Sequence, residues 1–98
     1  MVQINWTVQA REDLQSIAKY IARDSLKYAR LQIIRIRLRT KILTSHIYSG
    51  KIVEEINRED IRELIEGNYR IIYRIVDQEP VDILTVHHSA RDLGKRKL

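Results

Sequence analysis

Val2, Ile4 and Trp6 alternate with polar residues, the period-two pattern of a strand with one covered face. Thr7 follows, a residue whose hydroxyl can accept from a free N–H at a helix start. From Ala10 the period becomes helical, with Ala10, Leu14, Ile17, Ala18 and Ile21 on one side. Asp24-Ser25 interrupts that run and offers the cap for a second helix, expected from Ser25 to Ser45.

The second helix is apolar on two faces. At about 100° per residue, Ala29, Ile33, Ile36 and Leu43 share one stripe, and Leu31, Ile34, Leu38 and Ile42 share nearly the opposite one. Arg30, Arg37 and Lys41 flank the second stripe on one side, Arg35 and Arg39 on the other. A sheet can cover the first stripe. The second needs the first helix or a partner chain.

Beyond a loop at residues 48–51 the pattern turns to strands. Residues 52–56 read as a short, weak strand or extended segment, and Asn57 to Asp60 as a polar turn. Ile61 to Ile65 reads as a strand, and Glu66-Gly67-Asn68 as a tight hairpin, since Gly and Asn accept positive φ. From Tyr69 to Val76 the side chains alternate: Tyr69, Ile71, Tyr73 and Ile75 on one face, Arg70, Ile72 and Arg74 on the other. Pro80 closes the next turn, and Val81 to His88, apolar on both faces in its middle, suits a central strand. The residues after Ser89 read as a short helix or frayed end. The sum is an α+β, two-layer sandwich of order β-α-α-β-β-β, a helical hairpin on one face of a largely antiparallel sheet, spanning residues 1–98 as one domain. That arrangement leaves Arg70 and Arg74 on the uncovered face. Trp6 and the Tyr69/Tyr73 pair read as core.

Composition narrows the functions. The chain has 98 residues, a net charge of +5 and no cysteine, so disulfide scaffolds, thiol nucleophiles and Cys-ligated metals are excluded. No apolar run approaches the ~20 residues that span a bilayer, and the start lacks a leader's apolar stretch, so no membrane is expected and the cytoplasm is. The charge is uneven. Residues 1–50 hold nine Lys/Arg against three Asp/Glu, and residues 51–98 hold nine against ten. Six cations and no acid lie between Ser25 and Ser45, whereas six acids lie between Glu54 and Glu66. A basic block of this kind points to an anionic partner.

Candidate chemistry is sparse. No cofactor or metal site is expected: His87 and His88 are adjacent on a strand and point to opposite faces, His46 is remote in sequence, and the three glycines are isolated. One catalytic surface can be drawn, the exposed sheet face with the chain end. Arg70, His87, His88 and Arg91 could supply the base, acid and cations that RNA transesterification requires. The same surface, with Arg62, Arg70, Arg74, Arg91, Lys95 and Arg96, could instead simply bind a target. Ordinary strand-end hydrogen bonding and cross-strand ion pairs are the structural uses of the same residues.

Trp6, Ala10, Asp13-Leu14, Ile17, Tyr20-Ile21, Gly50-Lys51, the run IRELIEGNYRIIYRI and the run ILTVHHSARDL together resemble the ParE/RelE toxin superfamily of bacterial type II toxin–antitoxin modules. The resemblance extends from Trp6 to Leu93 and implies the same β-α-α-β-β-β fold. It also implies a cytoplasmic growth inhibitor neutralised by a small cognate antitoxin. Its branches differ in mechanism: RelE-like members cleave mRNA in the ribosomal A site, and ParE-like members poison DNA gyrase. This chain looks closer to ParE. Where RelE-like enzymes place catalytic lysines, Ile61 and Glu63 stand here, and the late RelE tyrosine is missing, with Ser89 and Lys95 near its place. Arg70 matches an arginine found in both branches, and His87/His88 is similar to the C-terminal histidine of some ribosome-dependent relatives. Ile47 replaces the family's usual loop proline. The expected partners are a small acidic antitoxin and DNA gyrase, or alternatively the 70S ribosome and mRNA. The antitoxin is expected on the second stripe of the second helix, at Leu31, Ile34, Arg35, Leu38, Arg39 and Ile42, because an acidic amphipathic helix complements an arginine-flanked apolar groove.

Overall fold

A computed structural model of the chain describes residues 2–77 and 80–90. Strand β1 (Ile4–Trp6) leads into helix α1 (Val8–Ala22), then α2 (Leu26–Thr40), a 3₁₀ turn (Lys41–Thr44), and strands β2 (Lys51–Ile52), β3 (Ile61–Glu66), β4 (Tyr69–Arg74) and β5 (Val81–His88). The sheet order is β1-β5-β4-β3-β2; β1 runs parallel to β5 and the other neighbours are antiparallel. This is the expected two-layer α+β fold, with β5 inside the sheet and a two-residue edge strand β2 added.

Both helix starts follow from their caps. The Thr7 hydroxyl accepts from the Ala10 N–H at 3.2 Å, and the Ser25 hydroxyl from the Tyr28 N–H at 3.1 Å. Helix α2 ends five residues before the expected Ser45. The Thr40 hydroxyl donates to the Arg37 carbonyl at 2.7 Å and the Thr44 hydroxyl to the Lys41 carbonyl at 2.8 Å. Side chains that compete for backbone carbonyls weaken the α-helical ladder, and the last turn tightens to 3₁₀. In the β3–β4 hairpin only Gly67 takes a positive φ, at +56°; Asn68 does not need its tolerance.

The core lies between the helices and one sheet face. It joins Ala10, Leu14, Ile36 and Leu43 to Leu64, Tyr69, Ile71, Tyr73, Val81, Ile83 and Val86, with Trp6 packed at its margin. Both tyrosines are core, as their side of the alternation predicts. Beyond Ile83, β5 has no β1 neighbour because the chain has already turned into α1. Asp13 of α1 takes that place: it accepts from the Val86 N–H at 3.0 Å and from the Thr85 hydroxyl.

The second sheet face is not open as expected. Instead of continuing as a strand, the chain turns after Ile52. Ile56 and Asn57 donate to the Val53 carbonyl, and Asn57 adopts φ +53°. The turn folds back over the sheet and buries Val53 against Ile61 and Ile72, with Ile56 and Leu84 at the edge. Apolar Ile72, flanked by Arg70 and Arg74 on this face, supplies the reason: a buried isoleucine stabilises the cover by about 1.5–3 kcal/mol.

Candidate functional site

Two surfaces carry the residues singled out from sequence. The first is the turn-covered sheet face. Cross-strand register places Glu63 opposite Ile72, Ile65 opposite Arg70, and Arg70 opposite His87. Arg70 donates to both carboxylates within reach. Its Nη1 and Nη2 meet Glu55 at 2.7 and 2.9 Å, and its Nε and Nη2 meet Glu63 at 3.2 and 2.5 Å. Glu63 is 3% exposed, the Arg70 side chain 13% and Glu55 39%. The Arg70 hydrogen bonds hold the Glu55 carboxyl down at about 2, and the two carboxylates push the Arg70 guanidinium above its ordinary value. Counted together, one cation and two carboxylates leave this centre with a net negative charge. Glu55 was not among the residues singled out from sequence; it is one of six acids in the 54–66 stretch, and only the turn at Asn57 reveals which of them reaches Arg70.

The other residues assigned to this surface are engaged too, and two of them do not lie on it: Arg62 and His88 share the helix-side face with their cross-strand partners Tyr73 and Tyr69. Arg62 donates to the Gly50 carbonyl at 3.1 Å and the Glu59 carbonyl at 3.0 Å, and its guanidinium sits 5.0 Å from the Tyr48 ring centre. Arg74 pairs with Asp82 at 3.0 Å, but its side chain is about half exposed. His87 is buried. His88 meets Tyr69 edge to face at 5.4 Å, and its Nδ1 accepts from the Ala90 N–H at 3.1 Å. The arrangement expected for RNA cleavage is therefore not assembled as free groups at Arg70 and His88. Arg91, Lys95 and Arg96 lie outside the described residues. Among the described residues no three potential ligands gather as for a metal, and no helix is long and apolar enough to cross a membrane.

The second surface is the outer face of α2. Ala29 and Ile36 are buried in the core and Ile33 packs against it, as the first stripe requires. The opposite stripe stays uncovered by α1: Ile34 is 53% exposed, Leu38 54% and Ile42 40%, and Leu31 is half-buried. Tyr28, exposed near the helix start, lies on the Arg35/Arg39 flank of the stripe and was not singled out from sequence. From Leu31 to Ile42 the stripe runs about 17 Å. On its flanks Arg30, Arg35, Arg37 and Lys41 are exposed. Arg39 is anchored by its Nε, which donates to the Ile65 carbonyl at 3.2 Å, and Arg37 reaches over Trp6 at 5.2 Å. None of these cations has a carboxylate within ion-pair distance among the described residues. The two surfaces thus differ in kind. On the sheet face Arg70 and Arg74 are paired with carboxylates of the chain, and among the described residues the cations of α2 are not.

Past α2, the backbone is pinned by Tyr73. Its hydroxyl donates to the Ile47 carbonyl at 2.8 Å and accepts from the Gly50 N–H at 3.0 Å, and burial pushes the phenol's ionisation upward. Gly50 is required here, since a Cβ would lie 2.6 Å from the Tyr73 hydroxyl and from the Glu63 carbonyl oxygen.

Comparison with known proteins places this geometry. A family model described as the ParE toxin of the type II toxin–antitoxin system parDE matches residues 4–93. No curated protein matches the sequence. Among solved structures, a chain of the chromosomal ParDE system of P. aeruginosa superposes with a TM-score of 0.72 at 21% identity, covering 90% of this chain and 96% of that one. A chain of the Mycobacterium tuberculosis RelBE2 complex gives 0.56 at 26% identity, over 89% and 96%. One of the E. coli DinJ-YafQ complex gives 0.51 at 17% identity, over 92% and 96%.

Proposed function

Because the chain belongs to the ParE toxin family of type II toxin–antitoxin systems, we propose that it arrests bacterial growth by docking on DNA gyrase and stabilising its cleaved-DNA complex, and that a small acidic antitoxin neutralises it. The observation that carries the choice of target is the Glu55–Arg70–Glu63 cluster. A phosphate brought to Arg70 meets a centre that is already net negative. At about 4 Å and an effective dielectric of ~20, the one uncompensated negative charge opposes a phosphate charge by roughly 4 kcal/mol. Separating Arg70 from Glu63 to admit the phosphate costs a further ~3–5 kcal/mol, because Glu63 is left buried and unpaired. An RNA-cleaving centre needs the reverse, a positive site that stabilises the developing phosphorane. Binding to a protein target requires no such site.

In this reading the target contact falls to Arg74, and to Arg91, Lys95 and Arg96 of the chain end, while Arg70 holds the turn against the sheet and Arg62 braces the 48–50 loop on the other face. The antitoxin binds α2, whose exposed apolar stripe and unmatched cations suit an acidic amphipathic helix.

The test is inducible expression in bacteria with two readouts. The purified protein, added to gyrase and supercoiled DNA, should cause gyrase-dependent double-strand cleavage, with no A-site cuts in mRNA from the induced cells. A-site cuts that vanish on replacing Arg70, His87 or His88, with no trapped gyrase, would establish the ribosome-dependent endonuclease instead.

A further inference from the structure

The apolar stripe of α2 does not stop at the helix end. It runs into a cavity of about 500 Å³ lined by Ile42, Ser45, His46, Ile47, Tyr48 and Ser49. Ile42 belongs to both, so the stripe and the cavity meet at this residue. We infer that this cavity is the anchor subsite of the α2 stripe, taking bulky apolar side chains from an acidic, helix-forming segment of the antitoxin. The inference rests on the toxin–antitoxin reading above and adds where along the stripe the partner is fixed.

Three observations support it. First, the cavity is preformed. The Tyr48 wall is held by the Arg62 guanidinium 5.0 Å from its ring, and Arg62 is itself tied to the Gly50 and Glu59 carbonyls. The Ile47 wall is held by its carbonyl, which accepts from the buried Tyr73 hydroxyl. A wall already ordered demands little further ordering when a ligand arrives, which is what lets anchor residues contribute strongly to affinity. Arg62 thereby acts as a positioning residue for Tyr48. Second, the space has room for more than one large side chain and the walls are mainly apolar, with Tyr48 exposed. Third, charge selects the occupant. Arg30, Arg37 and Lys41 line one flank of the stripe and Arg35 and Arg39 the other. A second copy of this chain would bring those cations against one another, whereas carboxylates on a partner helix would meet unmatched guanidinium groups.

The experiment fills the cavity from its exposed rim. Ser49→Trp is made in the full chain, with Ser45→Trp from the other wall as a second variant in case one fails to fold; urea unfolding reports the fold. Each is measured against the cognate antitoxin, identified as the short acidic protein of the same locus that rescues growth of the parent strain, by titration and by rescue of growth on co-expression. The expected result is an antitoxin affinity at least about tenfold weaker, with rescue lost and growth arrest retained when the antitoxin is absent. Affinity within about twofold of the parent chain and full rescue would overturn the inference. Loss of growth arrest in a folded variant would overturn it as well, assigning the cavity to the target. If the parent chain itself neither arrests growth nor binds the antitoxin, the toxin–antitoxin reading fails before the cavity is tested.

Discussion

Replacing Arg70 by methionine should expose how the sheet face is held together. The side chain is 13% exposed and donates to Glu63, which is 3% exposed on β3. Methionine keeps most of the aliphatic length and removes the charge. Glu55, on the exposed turn, can turn to water, so its lost pairing contributes at most ~1 kcal/mol. Glu63 cannot, and a buried carboxylate deprived of its partner costs about 3–5 kcal/mol. Against the 5–15 kcal/mol typical of a whole domain, that is a large fraction. Equilibrium urea unfolding at neutral pH should therefore show Arg70→Met destabilised by about 3–5 kcal/mol. The double variant Arg70→Met/Glu63→Leu, with neither charge left inside, should return to within about 1–2 kcal/mol of the parent. It should also still arrest growth, since Arg70 in this account holds the fold and does no chemistry. A single variant that loses less than about 1 kcal/mol would refute the buried-pair reasoning. A stable double variant without growth arrest would refute the structural assignment of Arg70.

Gly50→Ala should destabilise by about 2–4 kcal/mol in the same assay, combining overpacking against the β3 backbone with loss of the Tyr73 hydrogen bonds; an unchanged midpoint would show that the 47–50 backbone yields freely. The low ionisation of Glu55 makes a pH-dependent contribution: its stabilisation is complete above its unfolded value near 4.5 and is lost as pH falls toward about 2. The stability difference between the parent chain and Glu55→Gln should thus shrink between pH 5 and 2, and a constant difference would count against the Arg70 pairing in solution. Leu31→Asp/Leu38→Asp should leave the chain folded, because Leu38 is exposed and Leu31 half-buried at the surface, yet weaken antitoxin binding about a hundredfold or more. Unchanged affinity in a folded double variant would remove the antitoxin from α2.

Local chemistry along the chain was enough to specify the elements, both helix caps, the Gly67 turn and the two-faced character of α2. Each of these depends on residues near one another in sequence: a hydroxyl three residues before an N–H, an apolar side chain every three or four positions, a glycine at a positive φ. That the second stripe stays uncovered was decided only by the tertiary structure, since α1 could have packed on it and instead leaves Ile34, Leu38 and Ile42 exposed. The tertiary structure alone also decided the meaning of the charges. Arg70 reads in sequence as a cation presented on an open strand face. It becomes the centre of an ion cluster because the turn at Val53 to Asn57 brings Glu55 back across the sheet, fifteen residues from its partner. Arg62 likewise passes from a surface cation to the brace of Tyr48. Pairing of this kind depends on how a loop crosses a sheet, a consequence of burying Val53, Ile61 and Ile72 together, and no periodicity encodes it. The helix arginines kept their sequence-level meaning for the complementary reason: among the described residues no carboxylate pairs with the cations of α2, so their charge is open to another chain.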